Sequence, residues 1–175
     1  MEEETIVRPA QAADADALSQ FAERVFDEAF GSECDEGDMA SYLNEVFSPE
    51  MQRAEIAERG GIVLLAEEAS SKRLAGYLHI APSDAPACVS GTAILELKRL
   101  YVDPTLQSRG IGKKLFDEGL ARARAQGAGT VWLGVWESNL RAQQFYAREG
   151  FTRVGEHPFV LGSDTQTDWV MARPV

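Results

Sequence analysis

Leu100-Tyr101-Val102-Asp103-Pro104-Thr105-Leu106-Gln107-Ser108-Arg109-Gly110-Ile111-Gly112-Lys113-Lys114 joins an apolar run to a segment of helical periodicity, and this junction decides the architecture. The run, residues 92–102, reads as a strand and ends at Asp103-Pro104, because proline lacks the N–H that a ladder needs. Over residues 110–126, Ile111, Leu115, Phe116, Leu120 and Ala123 fall on one side of a helix. Gly127-Ala128-Gly129 stops that helix. Val131-Trp132-Leu133-Gly134-Val135-Trp136 follows as an unbroken apolar run, the pattern of a strand covered on both faces. Strand, helix and strand in this order make a crossover, which places the two strands parallel and is right-handed in nearly all cases.

Working outward, the other elements read as hairpins and helices. Residues 5–9 form a short strand ended by Pro9. From Asp14 onward, Leu18, Phe21, Ala22, Val25, Phe26 and Ala29 recur at three- and four-residue intervals, an amphipathic helix. An acidic loop is expected over 31–38, a second helix around Tyr42, Leu43, Val46 and Phe47, and a third over 49–59 before Gly60-Gly61. Residues 62–66 and 74–80 flank Ser70-Ser71-Lys72-Arg73 as a hairpin, and a loop over 81–91 leads into the crossover. After it come a helix over 139–149 and strands over 151–161 and 167–172, joined by Gly162-Ser163-Asp164. The class is α/β (α+β), a mixed sheet with helices on its faces, in one domain spanning residues 1–175.

The chain has 175 residues, 45% hydrophobic and 26% charged, values of a globular protein with a real core. Its apolar runs fall far short of the ~20 residues that cross a bilayer. Met1-Glu2-Glu3-Glu4 is acidic where a secretory leader is basic and then apolar, so a soluble cytoplasmic protein without membrane association is expected. Net charge is −11, unevenly spread: the first fifty residues hold 14 acidic and 2 basic side chains, the remainder 14 and 15. Such a field repels nucleic acid and attracts a cationic partner. Cys34 and Cys88 make no disulfide framework, and the carboxylates around Cys34 disfavour its thiolate. His79 and His157 belong to no metal-ligand spacing, so no metal is expected and both histidines read as structural or surface residues.

Gln107-Ser108-Arg109-Gly110-Ile111-Gly112-Lys113-Lys114 stands between a strand and a helix N-terminus. Unpaired N–H groups converge at such a turn, the helix dipole is positive, and glycines let a ligand approach the backbone. With Arg109, Lys113 and Lys114 added, a diphosphate fits. Two nucleotide motifs do not: the dinucleotide fingerprint wants a third glycine where Leu115 stands, and the P-loop wants a glycine five residues before Gly112 and a Ser or Thr in place of Lys114.

Gln-x-x-Gly-x-Gly after Leu100-Tyr101-Val102-Asp103-Pro104 resembles the acyl-CoA signature of the GNAT N-acetyltransferase superfamily. A second block agrees: Trp132-Leu133-Gly134-Val135-Trp136-Glu137-Ser138-Asn139, then Ala142, Phe145-Tyr146 and Gly150-Phe151. The resemblance spans about residues 60–173, and the preceding third fits that superfamily's pair of leading helices. It implies a mixed, mostly antiparallel sheet of six to seven strands flanked by four to five helices, with one parallel crossover at the acyl-CoA site. Asp38-Met39, Tyr42-Leu43 and the tail Leu161-Gly162-Ser163-Asp164-Thr165-Gln166-Thr167-Asp168 further resemble the small bacterial PaiA-type branch, associated with polyamine acetylation.

The resemblance implies acetyl-CoA as co-substrate and specific roles for residues. The backbone of Leu100, Tyr101 and Val102 would hold the pantetheine arm with Asn139 and Ala142, and Gln107, Ser108, Arg109, Gly110, Ile111, Gly112 and Lys113 the diphosphate, with Arg148 in reach of an outlying phosphate. Glu96, a lone carboxylate in Ile94-Leu95-Glu96-Leu97, would serve as general base, and Tyr146 as proton donor to the leaving sulfur as well as a cofactor contact. Lys98 or Arg99 as a salt-bridge partner is the alternative for Glu96, and a core role the alternative for Tyr146. Between the leading helices, Asp35 and Asp38 would contact a cationic amine acceptor, with Phe30 and Tyr42 as apolar walls. A polyamine such as spermidine or spermine is the leading acceptor. A protein N-terminus, a lysine or an aminoglycoside is the alternative within the same class, and a non-catalytic acyl-CoA-binding regulatory module the alternative outside it. Relatives of this kind are often homodimers.

Overall fold

β4 (Ile94–Val102) and β5 (Thr130–Trp136) lie side by side and parallel, joined across one face by α4 (Ile111–Ala125), as the crossover requires. The structure, a computed structural model, describes residues 4–175; residues 1–3, part of the acidic N-terminal tetrapeptide, lie outside the described residues. β1 (Thr5–Pro9), β2 (Ile62–Glu68) and β3 (Leu74–Ala81) extend the sheet on one side, and β6 (Thr152–Leu161) and β7 (Asp164–Pro174) on the other. The order is β1-β2-β3-β4-β5-β7-β6, and every neighbouring pair except β4–β5 is antiparallel.

The two faces are covered by different helices. On one, Ile111, Leu115, Phe116 and Leu120 of α4 pack on Leu78, Ile80, Leu97, Val131 and Leu133. On the other, Leu18, Phe21, Ala22, Val25 and Phe26 of α1 (Ala15–Phe30) pack on Leu65 and Tyr77, with α2 (Glu36–Phe47) adding Met39 and Phe47. α3 (Pro49–Ala57) starts at a Ser48 cap with proline in its first turn, where a missing N–H costs nothing. α5 (Leu140–Arg148) follows β5. Among the described residues no helix is long and apolar enough to cross a membrane.

The structure corrects the expected elements at several edges. The acidic stretch 31–38 is not a loop throughout. A 3-10 turn covers Gly31–Glu33, and α2 begins at Glu36 because the Asp35 carboxylate caps it, accepting from the N–H of Gly37 at 2.9 Å and of Asp38 at 3.3 Å. β7 starts at Asp164 rather than Thr167, so the hairpin turn is only Gly162-Ser163; the polar run Asp164-Thr165-Gln166-Thr167 hides a strand that continues the ladder to Leu161↔Asp164. β5 is not covered on both faces along its whole length, since Gly134 is exposed.

His79 is 1% exposed on β3, facing Arg99 and Glu55 of α3. Burial, then the charges of Arg99 and Lys98, push its pKa down to about 3. In the unfolded chain the same imidazole takes up a proton below ~6.5, so the folded state loses stability as pH falls from there towards 3. The slope from this one group reaches about 1.4 kcal/mol per pH unit. Urea unfolding at pH 7, 6, 5 and 4 will show this loss, and His79→Gln will flatten it. A slope unchanged by that substitution would contradict the assignment.

Candidate active site

Only three residue pairs join β4 to β5: Ile94↔Thr130, Leu95↔Val131 and Glu96↔Trp132. Beyond Glu96 the strands diverge, and the β5-facing edge of residues 98–102 has no ladder partner. A bulge shapes the same place. Arg99 pairs with His79 and Leu97 with Ile80, which leaves Lys98 as an extra residue. It switches the parity of β4, so Leu97, Leu100 and Val102 face α4 while Glu96, Arg99 and Tyr101 face α1 and α2. The gap opens into a cleft of about 680 Å³ that runs from the turn before α4 to the C-terminal hairpin.

The turn is fixed from beneath. Asp103, 2% exposed, accepts from Thr105 N–H at 2.9 Å and its hydroxyl at 2.6 Å, and from Arg24 of α1 at 2.9 Å. Gly110, at φ +77°, caps α4, and a Cβ there would meet nothing within 4 Å. The first helical bond runs from Lys114 N–H to the Gly110 carbonyl, leaving the N–H groups of Ile111, Gly112 and Lys113 open at the positive end of the helix. Lys113 lies 2.5 Å from Asp117 and 3.3 Å from Glu149. Gln107 and Ser108 also line this end, and Arg141, which the motif did not single out, hydrogen-bonds Gln107 and approaches Ser108 Oγ at 3.5 Å. Arg148 lines the cleft as well. The Arg109 side chain does not; it turns with Lys114 into a separate small pocket of about 230 Å³ beside Glu68.

In mid-cleft, Leu100, Tyr101 and Val102 form one wall and Asn139, Ala142 and Tyr146 the other. Asn139 caps α5, its Oδ1 accepting from Ala142 N–H at 3.1 Å, which leaves its amide N–H₂ to donate. Tyr146 packs edge-on to Phe145 and Phe151, and burial pushes its phenol pKa up, so it remains a proton donor. Glu96 lies at the apex of the splay, its side chain 23% exposed and its carboxylate 4.0 Å from Lys98 Nζ. Arg99 is engaged elsewhere, 2.7 Å from Glu55.

At the far end Phe30, Tyr42, Trp136 and Phe159 are aromatic walls; Tyr42 meets Phe159 edge-on at 5.9 Å and Phe30 meets Trp136 at 6.2 Å. Asp35 and Asp38 are not in the cleft. Asp35 caps α2, and Asp38 accepts from Ser163 N–H at 3.1 Å and its hydroxyl at 2.8 Å, tying α2 to the β6–β7 turn. The carboxylate that does line this end is Asp168, with His157 beside it. His157 is thus a cleft residue, whereas the buried His79 matches the structural expectation. Asp168 stands in Thr167-Asp168-Trp169-Val170, the same lone-carboxylate-in-a-strand pattern as Glu96, and that signal identifies it in the sequence. Cys34 lines the mouth; burial, then Asp164, Glu33 and Asp38, push its thiol pKa up and away from nucleophilic use. Among the described residues no cluster of three or more His, Cys, Asp or Glu is arranged to hold a metal.

A strand edge without a partner, a helix N-terminus with open N–H groups and an uncrowded glycine suit a ligand with amides in its arm and a diphosphate at its end, which is the make-up of coenzyme A. Comparison with known proteins agrees. Residues 22–151 match the family model of the acetyltransferase (GNAT) family. An uncharacterised N-acetyltransferase of Lactobacillus delbrueckii subsp. lactis is 36% identical over 148 residues, 85% of this chain and 84% of the relative. One of Mycobacterium bovis is 32% identical over 160 residues, 91% and 97% of the two chains. In fold, the PaiA N-acetyltransferase of Thermoplasma acidophilum, solved with coenzyme A, superposes with a TM-score of 0.78 at 22% identity, covering 98% of this chain and 99% of that one. The chain therefore belongs to the acetyltransferase (GNAT) family. It is an acetyl-CoA-dependent N-acetyltransferase.

Gly110→Ala will force a side chain into the left-handed region, at a cost of about 1–2 kcal/mol, and will narrow the approach to the open N–H groups. Calorimetry will show weaker coenzyme A binding together with the lowered stability; unchanged affinity would place the diphosphate elsewhere.

Proposed function

We propose that this N-acetyltransferase acetylates a small cationic amine, with a polyamine such as spermidine or spermine as the acceptor, by direct attack of the amine in a ternary complex. The observation that carries this reading is the make-up of the acceptor half of the cleft. Two carboxylates, Glu96 and Asp168, line it with Phe30, Tyr42, Trp136 and Phe159; Arg99 is neutralised by Glu55, and Lys98 lies 4.0 Å from Glu96, which leaves Asp168 without a cationic partner among the described residues. Carboxylates and aromatic faces both favour an ammonium group. The acidic first fifty residues add a field that draws polycations to the protein.

Acetyl-CoA supplies a reactive acyl thioester when bound. The unpaired edge of residues 98–102 and the Asn139 amide orient its arm, and the N–H groups at the start of α4, with Lys113, Arg141 and Arg148, hold its phosphates. An alkylamine with a pKa of ~10.4 must lose its proton before it attacks, which costs about 4.6 kcal/mol at pH 7. Glu96 takes that proton, directly or through a water, at the point where β4 and β5 part. Tyr146 donates a hydrogen bond to the departing sulfur, and its raised pKa ensures that it arrives protonated.

Thiol release from acetyl-CoA, measured with spermidine, spermine, small monoamines, an aminoglycoside and a lysine peptide, tests the acceptor. Saturable release with a polyamine, with kcat/KM falling as salt rises, is the expected result. Faster turnover of the lysine peptide than of any small amine would assign a protein acceptor instead. Tyr146→Phe will lower kcat about 100-fold, the scale of general acid–base assistance, and leave the KM for acetyl-CoA within a factor of about two. Loss of coenzyme A binding with unchanged kcat would make Tyr146 a packing residue.

A further inference from the structure

β6 and β7 place His157 directly opposite Asp168 in their register, on the sheet face that also carries Trp132, Gly134 and Trp136. Gly134 has no side chain, and the space it leaves is where the two residues converge. A carbon added to Gly134 would lie 2.9 Å from His157 Nε2 and 3.1 Å from Asp168 Oδ2. His157 Nε2 is buried with no hydrogen-bond partner among the described residues, and its ring stands edge-on to Trp132, whose own indole N–H is equally unpartnered. No side chain or backbone group among the described residues hydrogen-bonds or ion-pairs the Asp168 carboxylate. Buried polar groups are normally paired, so a buried imidazole nitrogen left unpaired beside a carboxylate without a partner, both lining the cleft, marks a place where a ligand completes the set.

We propose that Asp168 is the ammonium-binding carboxylate of the acceptor site, set beside His157 and Gly134, and that it selects acceptors carrying a second cationic nitrogen besides the one acetylated. The inference rests on the polyamine reading above and names the residue that enforces it. Glu96, at the apex of the splay, serves the nitrogen that attacks. Asp168 lies two strands away, opposite Trp136, four residues further along β5 than Trp132, the partner of Glu96. Ordinary sheet spacings put the two α-carbons about 16 Å apart, a span that the two side chains and a ligand between them must cover together. A short monoamine does not bridge that distance; a linear triamine does. Burial raises the Asp168 carboxyl pKa while His157 opposes the shift, so the anion there is poorly solvated and gains from an arriving cation. Phe159 and Trp136 line the same cleft.

The test compares the wild-type protein with Asp168→Asn, which preserves shape and removes the charge. Spermidine titrated calorimetrically into the coenzyme A-bound protein is expected to bind Asp168→Asn about 10- to 100-fold more weakly, the scale of a hydrogen bond to a charged group, while coenzyme A affinity, which reports correct folding, is unchanged. The ratio of kcat/KM for spermidine over butylamine is expected to fall by a similar factor. Gly134→Ala, whose added carbon would press on His157 Nε2 and Asp168 Oδ2 without altering charge, is expected to weaken spermidine binding too. An unchanged spermidine affinity and an unchanged ratio in Asp168→Asn would overturn the inference while leaving polyamine acetylation standing. Equal losses with spermidine and butylamine would overturn the selection of a second cation. Wild-type protein that binds spermidine without acetylating it would defeat the acceptor reading alone, the anchor then standing or falling on the calorimetric comparison. Wild-type protein that neither binds nor acetylates any polyamine would overturn both.

Discussion

The site depends on a ladder that stops early. β4 and β5 share three residue pairs and then part, and the bulge at Lys98 lies just past the last of them. A continuous parallel ladder would satisfy the backbone of residues 98–102 internally. Because it ends at Glu96, those groups face a cleft, and the cleft is stable only because both arms of the fork are held from outside. β3 holds one arm and β7 the other, each through long antiparallel ladders. Arg99 with Glu55, and Arg24 with Asp103, tie the helical layer to the β4 arm. The bulge then sorts the side chains, sending Leu97, Leu100 and Val102 into the α4 core and Glu96 towards the acceptor half.

The two ends of the cleft differ in charge. At the start of α4 the open N–H groups, Lys113, Arg141 and Arg148 make a positive pole. At the hairpin end Asp168 makes a negative one, with Glu96 at the apex of the splay 4.0 Å from Lys98, and Arg99 is neutralised by Glu55. The proposed reading puts the cofactor's phosphates at the first of these ends and the ammonium groups of the acceptor at the second. The acidic first fifty residues contribute in a different way from the one their spacing suggests. Asp35 caps a helix and Asp38 fastens α2 to the β6–β7 turn, so their local work is structural, while their charge still adds to the long-range field.

Much of this was legible in the sequence because local signals and global fold agree there. Proline ends β4, Gly110 and Gly112 start α4, and the spacing of Leu115, Phe116 and Leu120 sets its buried face, so the crossover and the turn chemistry follow from short-range rules. The start of β7 was hidden, since Asp164-Thr165-Gln166-Thr167 has no apolar alternation. The roles of Asp35 and Asp38 were also hidden, because a carboxylate near a helix start is equally a cap or a ligand until its partners are known. His157 and Asp168 needed the hairpin register to bring them together at Gly134. Arg141 needed the fold of α5 against the turn. For Asp38 and Arg141 the missing information was a contact between segments distant in sequence.

Amide hydrogen exchange, followed with and without coenzyme A, tests at the backbone itself whether the unpaired edge of β4 and the start of α4 receive coenzyme A. The result expected is slowed exchange within residues 98–102, at the amides turned away from β3, and at Ile111, Gly112 and Lys113, with β1 and β2 unaffected. Protection confined to other segments, with these amides exchanging at the same rate in both states, would contradict it.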